Sequence, residues 1–258
     1  MRKSSALPAI VQLEYRPLLR SALTAILAPT LAAVTISLWA GRALALSAVF
    51  PFRLLGLLTS GSLLVLYGLP AHRPHHHFGP ANYTTVARGA LVVFLAALLV
   101  ERVDMQVQYV ALGVATLAAG TDAMDGWLAR RTRMVSAFGA RFDMETDALF
   151  ILVLSLWAWH LDKAGAWVVM GGLLRYVFVL AGVLVPRLRG ELPESFRRKT
   201  IAALQMVALL IVICPFVPAP VSTPIAAAAL FALSMSFLID TRSLLLRAPR
   251  SELSGADV

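Results

Sequence analysis

The chain has 258 residues, of which 59% are apolar and only 14% charged, with a mean hydropathy of +0.77. Soluble domains carry about 25% charged residues, so composition excludes that class and predicts an integral membrane protein. The net charge of +9 then reads as loop topology and not as nucleic-acid binding, because cytoplasmic loops are rich in Lys and Arg.

A spanning helix needs about 20 mostly apolar residues. In chain order the apolar runs predict eight, near 21–40, 54–69, 84–100, 106–128, 143–160, 165–185, 200–217 and 221–239. Helices satisfy their own backbone groups in lipid, so the predicted class is all-α. The second run is the weakest, since Pro51 and Arg53 break the apolar stretch before it. With eight spans both termini share a side. That side collects 18 basic residues, and the other holds only Arg42, Arg53, Arg102 and Lys163. The asymmetry predicts cytoplasmic termini. No cleavable leader is expected, and Cys214 stands alone, which excludes an internal disulfide.

Residues 71–80, AHRPHHHFGP, read as a Pro- and His-rich linker. Its four histidines suggest a metal site, but a flexible solvated loop is the favoured reading. The expected organisation is an N-terminal extension over 1–70, a six-span core over 71–242 and a polar tail over 243–258.

Five of the 14 acidic residues fall between 122 and 147. Asp122 and Asp125 are three apart and share a helix face. Asp143 and Asp147 are four apart on the next predicted helix. Two antiparallel helices would gather four carboxylates at one membrane edge, where they repel unless cations balance them. Hard divalent ions take such oxygen ligands, and two of them could stabilise a phosphoryl displacement. The bland alternative is ion pairing with Arg130, Arg131 and Arg141. A channel or transporter is a further alternative, since acidic residues in spans also mark ion paths. It fits less well with carboxylates at one edge than with carboxylates across the midplane. Gly126 and Gly139 lie among the charges. They read either as space for a phosphate or nucleotide or as ordinary glycines. Ala111, Ala115, Ala119 and Ala123 form a small-residue column suited to close helix packing.

The pattern Asp122-x-x-Asp125-Gly126-x-x-Ala129-Arg130, eight residues, then Gly139-x-x-x-Asp143-x-x-x-Asp147 resembles the signature of the CDP-alcohol phosphotransferase family. Asn82-x-x-Thr85-x-x-Arg88 resembles the polar motif opening that family's first core helix. Ala81 separates Pro80 from Asn82, where many members have proline directly before the asparagine. Lys199, six before Gln205, resembles a Lys-rich motif, from which Thr200 and Ala202 depart.

The resemblance implies a six-helix core preceded by about two additional transmembrane helices. It implies transfer of a phosphoalcohol group, expected to be phosphatidyl, from a CDP-alcohol to an acceptor hydroxyl with release of CMP, in phospholipid biosynthesis. A small CDP-alcohol donor with a lipid acceptor is the alternative. Asp122, Asp125, Asp143 and Asp147 would hold Mg²⁺ or Mn²⁺, two ions, with Asp147 also the catalytic base. Asn82, Thr85, Gly126, Ala129, Arg130 and Gly139 would contact CDP. Arg88, Arg175 and Lys199 are candidate acceptor or lipid contacts. Expected partners are the CDP-alcohol, an alcohol or phosphoalcohol acceptor, membrane lipid and a second copy in a homodimer, with no nucleic acid. The expected setting is a bacterial-type inner or plasma membrane with a cytoplasmic active site.

Overall fold

The computed structural model describes residues 9–72, 75–132, 136–189 and 195–246, with the backbone alone for 9–15, 122–132, 186 and 189. Eight α-helices follow one another among these residues: α1 Ala9–Ala43, α2 Phe50–Gly68, α3 Pro80–Leu98, α4 Met105–Thr132, α5 Ala137–His160, α6 Met170–Leu184, α7 Phe196–Ile213 and α8 Ala219–Leu246. Each predicted run falls on one helix. Five helical segments are long and apolar enough to cross a membrane: Arg16–Ala43, Phe50–His72, Pro80–Leu98, Ala166–Leu184 and Ala219–Leu246. The chain is therefore an all-α integral membrane protein. α5 carries charge just beyond its first turn, through Arg141, Asp143, Glu145 and Asp147, and α7 carries it in its first turn, through Arg197, Arg198 and Lys199.

The weak second run is a regular helix. Pro51 lies in its first turn, where a missing N–H costs nothing. Arg53 meets a buried carboxylate, Glu101 Oε1, at 2.6 Å. Apolar side chains such as Phe52, Leu64 and Tyr67 face outward, as lipid-facing positions should.

The chain forms two compact units, Met1–Val153 and Leu154–Val258, divided inside α5. In the first unit α3 packs against α1, α2 and α4. The α4 face includes Ala111, Ala115 and Ala118, all buried. The predicted alanine column thus drifts by one residue, as a period of 3.6 requires. At one end of this unit Ser47 donates to Glu101 twice, through its N–H and its hydroxyl, each at 2.8 Å. Together with Arg53 this ties the α1–α2 turn to the end of α3.

The segment expected to be a solvated linker packs into the protein. Leu69 and Phe78 join Leu18, Ala22, Ala25 and Phe138 in one buried cluster, and His72 is 1% exposed. Of the other histidines, His76 and His77 are exposed and His75 is half-buried. Composition suggested solvent here; burial of Phe78 beside α1 and α5 decides otherwise.

In the second unit α7 and α6 both pack on α8. Ser222 Oγ donates to the Lys163 carbonyl at 2.6 Å, and Lys163 Nζ donates to the Val217 carbonyl. Arg197, in the first turn of α7, meets Asp240 Oδ1 at 2.5 Å and Ser236 Oγ at 2.7 Å.

Candidate active site

The site is built from one face of α3 and one face of α5. Gly79 precedes α3 with φ 82°, a backbone region that favours glycine. Pro80 then opens the helix, where its fixed φ suits the first turn. Asn82, Thr85 and Arg88 follow at three-residue spacing, and all three are buried. Asn82 Nδ2 donates to the Phe78 carbonyl, and Thr85 Oγ1 donates to the Ala81 carbonyl at 2.9 Å.

α5 begins after Ser136, whose Oγ accepts the Gly139 N–H at 2.9 Å. This side-chain cap satisfies one of the N–H groups that a helix start leaves without an internal partner. Gly139, Asp143 and Asp147 then recur every four residues along α5. Gly139 lies close against Asn82: a Cβ at this position would stand 2.8 Å from Asn82 Oδ1 and 3.2 Å from Ser136 Oγ. Two residues 57 apart in sequence, both expected to contact CDP, are thus brought together.

Arg88 is wholly buried, and its Nη2 reaches Asp143 Oδ1 at 2.5 Å and Asp147 Oδ1 at 3.1 Å. The two aspartate side chains are 41% and 33% exposed. A buried guanidinium needs its charge compensated, and two carboxylates do so here. Arg88 entered the sequence reading as the end of the Asn82 motif and as a candidate acceptor or lipid contact; the structure places it on two of the four motif aspartates. The three-residue stripe from Asn82 was the only sequence signal that it faces inward.

The helical backbone of α4 runs through Asp122, Asp125, Gly126, Ala129 and Arg130. Their side chains lie outside the described residues. Among the described residues no three His, Cys, Asp or Glu side chains gather as a metal site. The pair that is described fits a hard divalent ion in donor type. Asp143 and Asp147 are oxygen donors on one helix face and partly accessible, and the Oδ1 of each meets Arg88. A carboxylate can bridge a guanidinium and a metal through its two oxygens. Arg175, half-buried on α6, and Lys199, exposed in the first turn of α7, belong to the second unit.

The family model of CDP-alcohol phosphatidyltransferase matches residues 78–239. The chain belongs to this family. No curated protein and no solved structure matches it.

The match takes in α3 to α7 and most of α8, including the Asn82–Thr85–Arg88 face and the whole acidic motif. α1, α2 and the histidine-containing segment precede it. As a CDP-alcohol phosphatidyltransferase family member, the protein is a membrane enzyme. It moves a phosphoalcohol group from a CDP-alcohol donor to an alcohol acceptor.

Proposed function

We propose that the protein transfers a phosphatidyl group from a CDP-linked lipid to a hydroxyl acceptor, releasing CMP, as a step of phospholipid synthesis. The observation that carries this reading is the Arg88–Asp143–Asp147 cluster on α3 and α5, inside the family match. The apolar helices around it support a lipid donor, whose tails can enter from the bilayer. A small CDP-alcohol with a lipid acceptor uses the same polar groups and is the alternative.

Asp143 and Asp147, with Asp122 and Asp125 from α4, would hold Mg²⁺ or Mn²⁺, two ions in this reading. Bound there, such ions neutralise the donor pyrophosphate and polarise an oxygen. The protein's own groups do the rest. Asn82, Thr85 and Gly139, with Gly126, Ala129 and Arg130, bind and orient the CDP end. Arg88 fixes the two α5 carboxylates in place. Asp147 accepts the acceptor's proton as the new P–O bond forms. A carboxylate is too weak a base to deprotonate a free alcohol beforehand, so the proton moves as the bond forms. The proton moves to Asp147, the phosphorus–oxygen bond to CMP breaks, and CMP leaves with the electron pair. Arg175 and Lys199 are candidates for acceptor or lipid contact. The cytoplasmic placement of the site rests on the positive-inside asymmetry, and a homodimer on the family resemblance.

The test is CMP release by purified protein in detergent or liposomes. CDP-diacylglycerol and small CDP-alcohols are supplied in turn with Mg²⁺ or Mn²⁺ and a panel of hydroxyl acceptors. Product lipids are identified by mass. CMP release that needs both a divalent ion and an acceptor supports the reading. Ion flux into liposomes without nucleotide turnover would favour the channel alternative. Unchanged CMP release in Asp147→Asn would sink the base assignment.

A further inference from the structure

We infer that His72 is a positioning residue for the nucleotide end of the site, acting through Ser136 on Gly139 and Asn82. The inference rests on the reading that Asn82 and Gly139 contact CDP. His72 lies upstream of the family match, at the end of the short 3-10 turn Leu69–His72 that follows α2. The family match therefore does not contain it; the segment between α2 and α3 supplies it.

Both ring nitrogens of this buried histidine are engaged. Nε2 is 2.9 Å from the His77 carbonyl and Nδ1 is 2.7 Å from Ser136 Oγ. A carbonyl only accepts, so Nε2 carries the ring proton. In the neutral ring Nδ1 then accepts from the Ser136 hydroxyl. That fixes the hydroxyl rotor. Its hydrogen points to His72, and its oxygen is left to accept the Gly139 N–H. The order of donation is Gly139 N–H to Ser136 Oγ, Ser136 O–H to His72 Nδ1, and His72 Nε2–H to the His77 carbonyl.

Gly139 has little room to move. With a Cβ site only 2.8 Å from Asn82 Oδ1, a shift of the first turn of α5 toward α3 must displace the Asn82 amide. The same ring also packs edge-on against Phe138, at a centroid distance of 5.7 Å. A purely structural histidine would stabilise the fold through that packing. A positioning histidine must also set nucleotide affinity through its acceptor nitrogen, and the two roles separate by substitution.

The carboxamide oxygen of Asn can stand near the Nδ1 position and accept from Ser136. The longer Gln side chain places its amide nearer the Nε2 position and serves His77 instead. The experiment measures CMP binding by calorimetry with Mg²⁺, KM and kcat with CDP-diacylglycerol, and melting temperature, all on the full-length protein in detergent. His72→Gln and Ser136→Ala should weaken CMP binding and raise KM about three- to tenfold, the size of one net hydrogen bond. Saturated kcat should stay within about twofold on the same scale. His72→Asn should bind CMP as the parent does, even if its melting temperature falls with that of His72→Gln. Equal CMP affinity in all variants, or equal loss in His72→Asn and His72→Gln, overturns the inference. A parent protein that binds no CMP overturns the CDP reading itself, and the inference with it.

Discussion

Arg88 Nη2 lies 2.5 Å from Asp143 Oδ1, the arginine wholly buried and the aspartate partly open to its surroundings. The same nitrogen reaches Asp147 at 3.1 Å. One cation therefore sets the separation of two motif carboxylates four residues apart. Lysine keeps the charge but is a flexible point donor in place of a planar fork. Arg88→Lys should lower CMP release on the order of tenfold or more, the penalty expected when such a pair is lost. A steady-state assay of the purified variant checks this, and wild-type turnover would refute it.

Gly139 leaves no room for a side chain beside Asn82. In Gly139→Ala the new methyl would meet Asn82 Oδ1 at 2.8 Å, so the amide must move. A misplaced binding group costs rate steeply. KM for the CDP-alcohol should rise on the order of tenfold. In an Asn82→Ala background the same glycine substitution should have little further effect. Additive losses in the double variant would argue against the contact as the cause.

Glu101 makes a pH prediction away from the site. Burial by itself would raise its carboxyl. The N–H and hydroxyl of Ser47 and the Arg53 guanidinium outweigh burial and hold it below the ordinary carboxylate range. A carboxylate with a depressed folded pKa stabilises fully above its unfolded value, about 4.3. That stability is lost as pH falls through the folded value. Between pH 5 and pH 3 the melting temperature should therefore fall more in the parent than in Glu101→Gln. Parallel curves would show that this clasp contributes nothing.

Gln205 is 1% exposed on α7, and neither its side-chain nitrogen nor its oxygen has a hydrogen-bond partner among the described residues. Its nitrogen lies against Gly171 of α6, 3.0 Å from where a Cβ would stand. An unsatisfied buried amide costs about 1–3 kcal/mol. Gln205→Met, similar in length and apolar, should raise the melting temperature by about 2–4 °C per kcal/mol recovered. A lower melting temperature would mean that the amide stabilises the fold after all.

Much of this was legible in local sequence. Eight apolar runs located eight helices, because lipid demands about 20 consecutive apolar residues whatever the neighbours are. Their starts were less legible. α5 begins at Ala137 and α7 at Phe196, several residues before the apolar stretch, because charged residues continue a helix where it leaves the membrane. The acidic motif, too, was readable from residue types and gaps alone.

Sequence by itself determined the class, the family and the residue types of the site, since composition, period and spacing are properties of the chain in order. Tertiary structure decided which groups meet. Arg88 finds Asp143 55 residues away, Arg53 finds Glu101 48 away and His72 finds Ser136 64 away. No local pattern encodes those distances. The same structure turned a Pro- and His-rich stretch from an expected solvated linker into a packed segment. The burial of Phe78 and His72 depends on the faces that α1 and α5 present to them, and those faces exist only once the helices have packed.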